Sequence, residues 1–109
     1  MRDFIHINDV IDAYGRAIER IDVVRGNVFN IGSGAQHTLS DAVACVMKCT
    51  GATTRPTYTG GVPPQQEPTT WVADISKARR LLGWEPQYGL EEGVAADIEW
   101  FKKNRTLYE

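Results

Sequence analysis

The stretch that decides the fold is Ala73-Asp74-Ile75-Ser76-Lys77-Ala78-Arg79-Arg80-Leu81-Leu82-Gly83-Trp84-Glu85-Pro86. Its apolar residues recur at the spacing of one helix face, and Asp74 stands where a capping side chain satisfies the first turn. Gly83 suits the left-handed residue that ends many helices, and Trp84 beyond it suits the hydrophobic contact that accompanies such an ending. The stretch therefore predicts a short amphipathic helix that ends at Gly83. Its predicted inward residues are Ile75, Ala78, Leu81 and Leu82.

Three more helices are predicted, two before this stretch and one after it. The last one begins near Leu90, with acidic residues at its positive end and lysines at its negative end. An earlier one begins at Thr38 and Asp41, which resemble a capping box. The first one follows a cap at Asn8 or Asp9. The inward positions expected in chain order are Val10, Ala13, Tyr14, Ala17, Ile18 and Ile21, then Val43, Val46 and Met47, and finally Leu90, Val94, Ile98 and Phe101.

Short strands are predicted between the helices. Residues 3–7 alternate polar and apolar, and residues 28–31 are nearly all apolar, which is typical of a strand buried on both faces of a parallel sheet. A third short strand is expected at residues 56–59, inside a loop rich in Thr, Pro, Gly and Gln. The expected fold is therefore α/β, or an α+β fragment, with about four helices and two or three short strands in one domain over residues 1–109.

Composition and charge exclude several classes of partner. The chain has 109 residues, of which 42% are hydrophobic, and a formal charge of -2. Its charges are interspersed, whereas nucleic-acid-binding proteins concentrate Lys and Arg on one face. No apolar run reaches the roughly 20 residues of a membrane helix. We therefore expect a cytoplasmic protein with no nucleic-acid and no membrane partner.

The two cysteines, Cys45 and Cys49, lie four positions apart on a predicted helix. No neighbouring His or second Cys pair completes a zinc site, and a helical pair at this spacing has a poor geometry for a disulfide. We expect them to be core thiols and expect no metal site.

Three segments resemble, in the same order, motifs of the extended short-chain dehydrogenase/reductase family, the NAD-dependent nucleotide-sugar epimerases and dehydratases. They are Arg2-Asp3-Phe4-Ile5-His6-Ile7-Asn8-Asp9-Val10, then Val28-Phe29-Asn30-Ile31-Gly32-Ser33-Gly34, and finally the stretch 73–86 with Leu90-Glu91-Glu92-Gly93 after it. The resemblance covers nearly the whole chain. It implies the carboxyl-terminal, substrate-binding part of such an enzyme.

Full-length members of that family also carry an amino-terminal half, with a glycine-rich loop for NAD and a catalytic Tyr-x-x-x-Lys pair. This chain has four tyrosines, and none is followed by a lysine four positions later. No tyrosine therefore has the lysine that would activate it as an acid or base. The resemblance implies no catalytic residue and no cofactor-binding residue in this chain, and no redox catalysis by the chain alone.

The resemblance implies two substrate-binding residues, Arg2 and Trp71. In the family, the arginine of the Arg-Asp-Phe/Tyr-Ile-His motif contacts the nucleotide diphosphate, and a guanidinium can give two charge-assisted hydrogen bonds to phosphate oxygens. Trp71 stands where the family often has an aromatic residue near the substrate. The residues themselves leave an alternative open, in which Arg2 is solvated or paired with Asp3 and Trp71 only packs.

A second arginine of the family falls at Pro64 in this chain, and the glycine and acid beside it are Gln66 and Glu67. Losing one charge-assisted contact costs roughly 1.5 to 3 kcal/mol, about ten- to a hundredfold in affinity. We therefore expect weakened nucleotide-sugar binding.

The turn at Gly32-Ser33-Gly34 has the Gly-x-Gly pattern of loops that hold a pyrophosphate at a helix start. The third glycine position is His37, however, and no acidic residue follows about 20 positions later. We therefore expect a plain tight turn here.

The leading functional hypothesis is a substrate-binding fragment or remnant of an NAD-dependent nucleotide-sugar epimerase or dehydratase. One alternative is an oligomeric protein-interaction module that has kept the fold but not the ligand site, and another is one half of a split epimerase. In the resembling family, residues 28–31 join the edge of the large sheet of the other half. An unpaired apolar edge invites pairing with another chain, so we expect a homodimer through that edge.

Overall fold

The computed structural model describes residues 1–54, 56, 57, 60 and 70–109. Within these residues the helices are α1 (Ile7–Glu19), α2 (Ile21–Val24), α3 (Leu39–Thr50), α4 (Ser76–Leu82) and α5 (Leu90–Lys103), followed by a 3-10 turn at Arg105–Leu107. None of the described helices has the length and apolar character needed to cross a membrane.

The expected α/β or α+β class is wrong for the described residues, which are 55% helical with 2% strand and no sheet. Of the first two expected strands, residues 3–6 and 28–31 carry no regular secondary structure and Ile7 begins α1, because a strand needs a neighbouring strand to share its backbone hydrogen bonds. The isolated bridge between Arg2 and His37 is the one piece of β-pairing in the described part of the chain. Of the third expected strand, residues 58 and 59 lie outside the described residues, and residues 56 and 57 are not in a strand.

The predicted capping box that begins α3 and the predicted end of α4 at Gly83 are confirmed. The Thr38 side chain accepts from the Asp41 N–H at 3.0 Å, and the Asp41 carboxylate accepts from the Thr38 N–H at 2.8 Å. These reciprocal bonds form the capping box that begins α3. The cap position of α4 is Ile75, one residue after the predicted Asp74, whose carboxylate accepts from the Ser76 N–H at 2.9 Å. Gly83 ends α4 with a left-handed φ of 63°.

The start and the inward face of α1 differ from the prediction. Its cap is His6 and not Asn8 or Asp9, and the His6 Nδ1 accepts from the backbone N–H of Asn8 at 3.3 Å. Ala13 is buried, as expected, but Tyr14 and Ile18 are 70% and 72% exposed. The helix has apolar residues on more than one side, so spacing alone does not identify the side that the core covers. The exposed apolar stripe of α1 consists of Ile7, Ile11, Tyr14 and Ile18.

The hydrophobic core lies where α4 and the residues after it meet α1 and α2. The buried apolar residues are Ala13, Val24, Ile75, Ala78, Leu82 and Trp84. The Trp84 indole N–H donates to the backbone carbonyl of Asp9 at 2.9 Å. The Asp9 carboxylate, only 2% exposed, accepts from the backbone N–H groups of Gln87 at 2.9 Å and Tyr88 at 3.2 Å. Three bonds therefore attach the start of α1 to the segment between α4 and α5.

Arg16 of α1 and Arg20, the residue that follows α1, bind the carboxyl end of α4. Arg16 donates to the carbonyl of Gly83 at 2.5 Å, and Arg20 donates to the carbonyl of Leu81 at 3.3 Å. The last carbonyls of a helix lack partners within the helix and carry partial negative charge, so cations stabilise this end.

Helices α3 and α5 pack against each other and are joined by an ion pair between Lys48 and Glu91. Contrary to the expected inward stripe of α5, Phe101 is 52% exposed, and the buried residue of that helix is Gly93. Cys45 and Cys49 are free thiols and are half-buried in α3, so they are less enclosed than the predicted core thiols.

Replacing Trp84 by Phe removes the indole donor to the Asp9 carbonyl and leaves space in the core, because Trp84 is fully buried. We expect a loss of about 1–3 kcal/mol in the free energy of unfolding, from the lost buried hydrogen bond and the smaller ring. Trp100→Phe is the matched control, because Trp100 is 47% exposed, and it should change stability by less than about 0.5 kcal/mol. Urea unfolding followed by circular dichroism measures both, and equal losses in the two variants would contradict the assignment.

Candidate functional site

Arg2 and Trp71, which are far apart in the sequence, lie side by side in the structure. The guanidinium carbon of Arg2 is 5.2 Å from the centre of the Trp71 ring, within the range of a cation–π contact. Arg2 Nη1 also donates to the carbonyl of Met1 at 2.8 Å. The Trp71 side chain is 49% exposed, so a ligand can reach this pair from solvent.

One short segment, residues 36 and 37, holds both members of the pair. Arg2 and His37 exchange two backbone hydrogen bonds, at 2.8 and 3.0 Å. The backbone N–H of Trp71 donates to the Gln36 side-chain oxygen at 3.2 Å. Gln36 is not predicted from the sequence, since no local signal links an amide at position 36 to a residue 35 positions away.

The Asp3 carboxylate joins three segments of the chain beneath this pair. Its Oδ1 accepts from the Ser33 N–H at 2.7 Å and from the Ser33 hydroxyl. Its Oδ2 accepts from the N–H groups of Gly34 at 3.2 Å and Ala73 at 2.9 Å. Burial by itself raises the pKa of Asp3, but the hydrogen bonds from Ser33, Ala73 and Gly34 together outweigh it and hold the pKa below the ordinary 3.8. Asp3 is therefore a carboxylate at neutral pH.

The Gly32-Ser33-Gly34 turn thus binds an anion that belongs to the chain itself. Successive backbone N–H groups in such a turn form a concave anion site, and here Asp3 occupies it. A Cβ added to Gly32 would lie 2.6 Å from the Ala73 Cβ and 2.7 Å from the Asp3 carboxylate, so the fit is tight. No other Gly-x-Gly pattern occurs in the sequence. Because its donors are already used, this turn does not fit the pyrophosphate of a dinucleotide.

A groove of ≈ 570 Å³ opens beside Trp71. The acidic side chains of Asp3 and Asp74 line it, and the Asn30 amide donates to the Asp74 carbonyl at 3.4 Å. The site therefore has a cationic end at Arg2 and an acidic end within the groove. An anionic group such as a diphosphate is favoured at the Arg2 end.

The position of the second arginine motif is not part of the described structure. Pro64, Gln66 and Glu67 at that position all lie outside the described residues. In the part of the chain that is described, no group of three His, Cys, Asp or Glu side chains is placed to hold a metal ion.

In sequence the chain is similar to nucleotide-sugar dehydratases and epimerases. A sequence model of the GDP-mannose 4,6 dehydratase family matches residues 1–96. The UDP-glucose 4-epimerase of Lactobacillus helveticus is 30% identical over 111 residues, covering 100% of this chain and 33% of the relative. The UDP-glucose 4-epimerase of Mycolicibacterium smegmatis is 31% identical over 102 residues, covering 93% of this chain and 31% of the relative. The chain therefore spans about a third of the length of the curated relatives it matches.

Solved structures superimpose over nearly all of the chain. UDP-glucose 4-epimerase from Thermotoga maritima, with UDP-glucose, is 33% identical with a TM-score of 0.77, and the match covers 94% of this chain and 32% of that one. UDP-glucuronic acid 4-epimerase from Bacillus cereus, in complex with NAD, is 31% identical with a TM-score of 0.75 and coverages of 94% and 30%. WbmF from Bordetella bronchiseptica, in complex with NAD+, is 27% identical with a TM-score of 0.78 and coverages of 97% and 30%.

Replacing Gly32 by Ala places a methyl group against Ala73 and the Asp3 carboxylate. We expect a loss of about 1–3 kcal/mol in the free energy of unfolding, as for other overpacked sites. Gly15→Ala is the matched control, because a Cβ at Gly15 in α1 meets nothing within 4 Å, and Ala is favoured over Gly in a helix by about 0.5–1 kcal/mol. Thermal unfolding should move in opposite directions for the two variants. A Gly32→Ala protein as stable as the parent would show that the carboxylate is not packed against this turn.

Proposed function

Because this chain belongs to the GDP-mannose 4,6 dehydratase family, among the extended short-chain dehydrogenase/reductase epimerases and dehydratases, we propose that it forms the substrate-binding part of such an enzyme. The family resemblance indicated by the three sequence motifs is confirmed. The proposed ligand is a nucleotide-sugar, held by Arg2 and Trp71. Since the chain has no Tyr-x-x-x-Lys pair, we propose that it is not catalytic alone.

The observation that carries this proposal is the position of Arg2 over Trp71 beside the groove. The aromatic face orients the guanidinium, and the planar fork of an arginine can give two charge-assisted hydrogen bonds to a diphosphate. The adjoining groove is also lined by the Asp74 carboxylate, whose acceptor oxygens suit the hydroxyls of a sugar or ribose rather than further phosphate. A UDP-sugar is the first ligand to test, since the similar Thermotoga maritima epimerase was solved with UDP-glucose.

NAD is the cofactor of this enzyme class, and the similar structures from Bacillus cereus and Bordetella bronchiseptica contain it. The one Gly-x-Gly turn of this chain has its Ser33 and Gly34 donors committed to Asp3. We therefore assign the cofactor to the two thirds of such an enzyme that this chain does not match.

The proposal predicts saturable binding of one nucleotide-sugar, measured by titration calorimetry with UDP-, dTDP-, CDP- and GDP-sugars. Arg2→Ala should weaken the affinity about ten- to a hundredfold, the value of one charge-assisted contact. Arg2→Lys keeps the charge but not the planar fork and should fall between the parent and Arg2→Ala.

Arg25→Ala is the matched control for these titrations, because Arg25 is exposed after α2 and lies outside the groove. It should bind like the parent. Absence of heat with every nucleotide-sugar, from a folded protein, would refute the proposed function and favour the protein-interaction alternative.

We further propose that the chain self-associates as a two-fold dimer through residues 28–31. Val28 is 81% exposed, and Phe29 and Ile31 line an apolar groove of ≈ 360 Å³ against α1. No described segment pairs with residues 28–31 in a β-ladder. An unpaired segment beside an apolar groove is the arrangement that a strand from a second copy can complete. The same surface would serve the split-epimerase alternative, with a separate cofactor-binding half in place of the second copy.

Light scattering at micromolar concentration should give the mass of a dimer. Val28→Lys places a charge on the proposed edge and should yield a monomer, since edge lysines oppose strand pairing. Val23→Lys, in α2 and at a position 70% exposed, is the matched control and should remain dimeric. A parent protein that is monomeric at this concentration would overturn the dimer and leave the edge to the split-epimerase alternative.

A further inference from the structure

We propose that Asp3 is a positioning residue of the nucleotide-sugar site, where its carboxylate holds Arg2 and Trp71 together by binding the 33–34 turn and Ala73 at once. This inference rests on the proposed function of the Arg2–Trp71 pair. Asp3 itself is not proposed to contact the ligand. It acts on the site by holding Arg2 and Trp71 in place.

The chain path gives the first argument. Arg2 is the residue before Asp3, and Trp71 lies two residues before Ala73. The bond of 2.9 Å from the Ala73 N–H to Asp3 Oδ2 therefore joins the two segments that carry the pair. Residues two apart are separated by at most about 7 Å of backbone, so this bond limits how far Trp71 can move from Arg2.

The number and kind of contacts give the second argument. All four partners of the Asp3 carboxylate are donors, three backbone N–H groups and the Ser33 hydroxyl. A carboxylate can accept at both oxygens, whereas an asparagine amide has only one acceptor and presents two N–H donors. In an Asp3→Asn protein, at least one backbone N–H would therefore face another donor. Asp3→Asn keeps the size of the side chain and removes one of the two acceptor oxygens that bind these donors.

The packing of the turn gives the third argument. Gly32 lies so close to the Asp3 carboxylate and to Ala73 that a Cβ cannot be added without movement. The position of the carboxylate is therefore tightly defined. Because Arg2 is the adjacent residue, its backbone position is tightly defined as well. A second link through Gln36 and His37 holds the same two residues from the outer side.

Asp9 provides a matched control for a merely structural role. Its buried carboxylate also accepts from two backbone N–H groups, those of Gln87 and Tyr88, but it joins α1 to the segment before α5 and does not line the groove beside Trp71. Asp9→Asn should lower stability without changing the Arg2–Trp71 contact. Asp3→Asn should change that contact.

The test uses two readouts on the full chain. The first is the affinity for UDP-glucose by calorimetry at a temperature where each variant is folded. The second needs no ligand: it is the upfield ring-current shift that the Trp71 indole imposes on the Arg2 side-chain protons in NMR spectra. For Asp3→Asn we expect at least a tenfold loss of affinity and loss of the shift, whereas Asp9→Asn should keep both.

Ser33→Ala removes one of the two donors to Oδ1 and gives a milder test if Asp3→Asn does not fold. It should weaken both readouts partially. Unchanged affinity and shift in the folded Asp3 or Ser33 variant would overturn the positioning role, and so would an equal loss in Asp9→Asn. If the parent does not bind UDP-glucose or another nucleotide-sugar, the proposed function fails, while the ring-current shift still decides whether Asp3 holds the pair.

Discussion

The hydrogen bond from the buried Trp84 indole to the Asp9 carbonyl is the interaction on which the helix arrangement depends. Gly83 turns the chain out of α4, and the turn carries Trp84 into the core beside Leu82. The carboxylate of Asp9 then accepts from the two N–H groups at Gln87 and Tyr88. Asp9 of α1 thereby accepts hydrogen bonds from the start of the α4–α5 connection, at Trp84, and from near its end, at Gln87 and Tyr88. In a low-dielectric interior, unpaired donors are costly, so α1, α4 and α5 cannot separate independently.

The core built around this bond covers only part of the apolar surface that the chain carries. The stripe of Ile7, Ile11, Tyr14 and Ile18 on α1 is exposed, as are Trp100 and Phe101 near the end of α5. Monomeric proteins rarely leave connected apolar surface of this extent in water. Exposed apolar surface of this kind is typical of a contact with further polypeptide, and the chain matches about a third of the length of its relatives.

Local signals predicted the structure well where a few neighbouring residues determine the outcome. The Thr38–Asp41 capping box and the left-handed Gly83 are confirmed because their partners lie within four residues. The strands at 3–7 and 28–31 were wrong because β-pairing depends on a distant neighbour that these segments lack. The Arg2 and Trp71 assignments came from family resemblance, and Asp3 and Gln36 went unrecognised because their partners lie 30 or more positions away.

The Gly32-Ser33-Gly34 turn illustrates why a glycine pattern does not by itself identify a cofactor site. Its N–H groups favour any anion, whether a pyrophosphate from solution or a carboxylate of the same chain. Asp3 has the advantage of being tethered, since an intramolecular group acts at a high effective concentration. A phosphate that displaced it would leave the carboxylate without its donors beside an incoming negative charge. The turn therefore binds a carboxylate of its own chain, and in the positioning role proposed for Asp3 it fixes the residue next to Arg2.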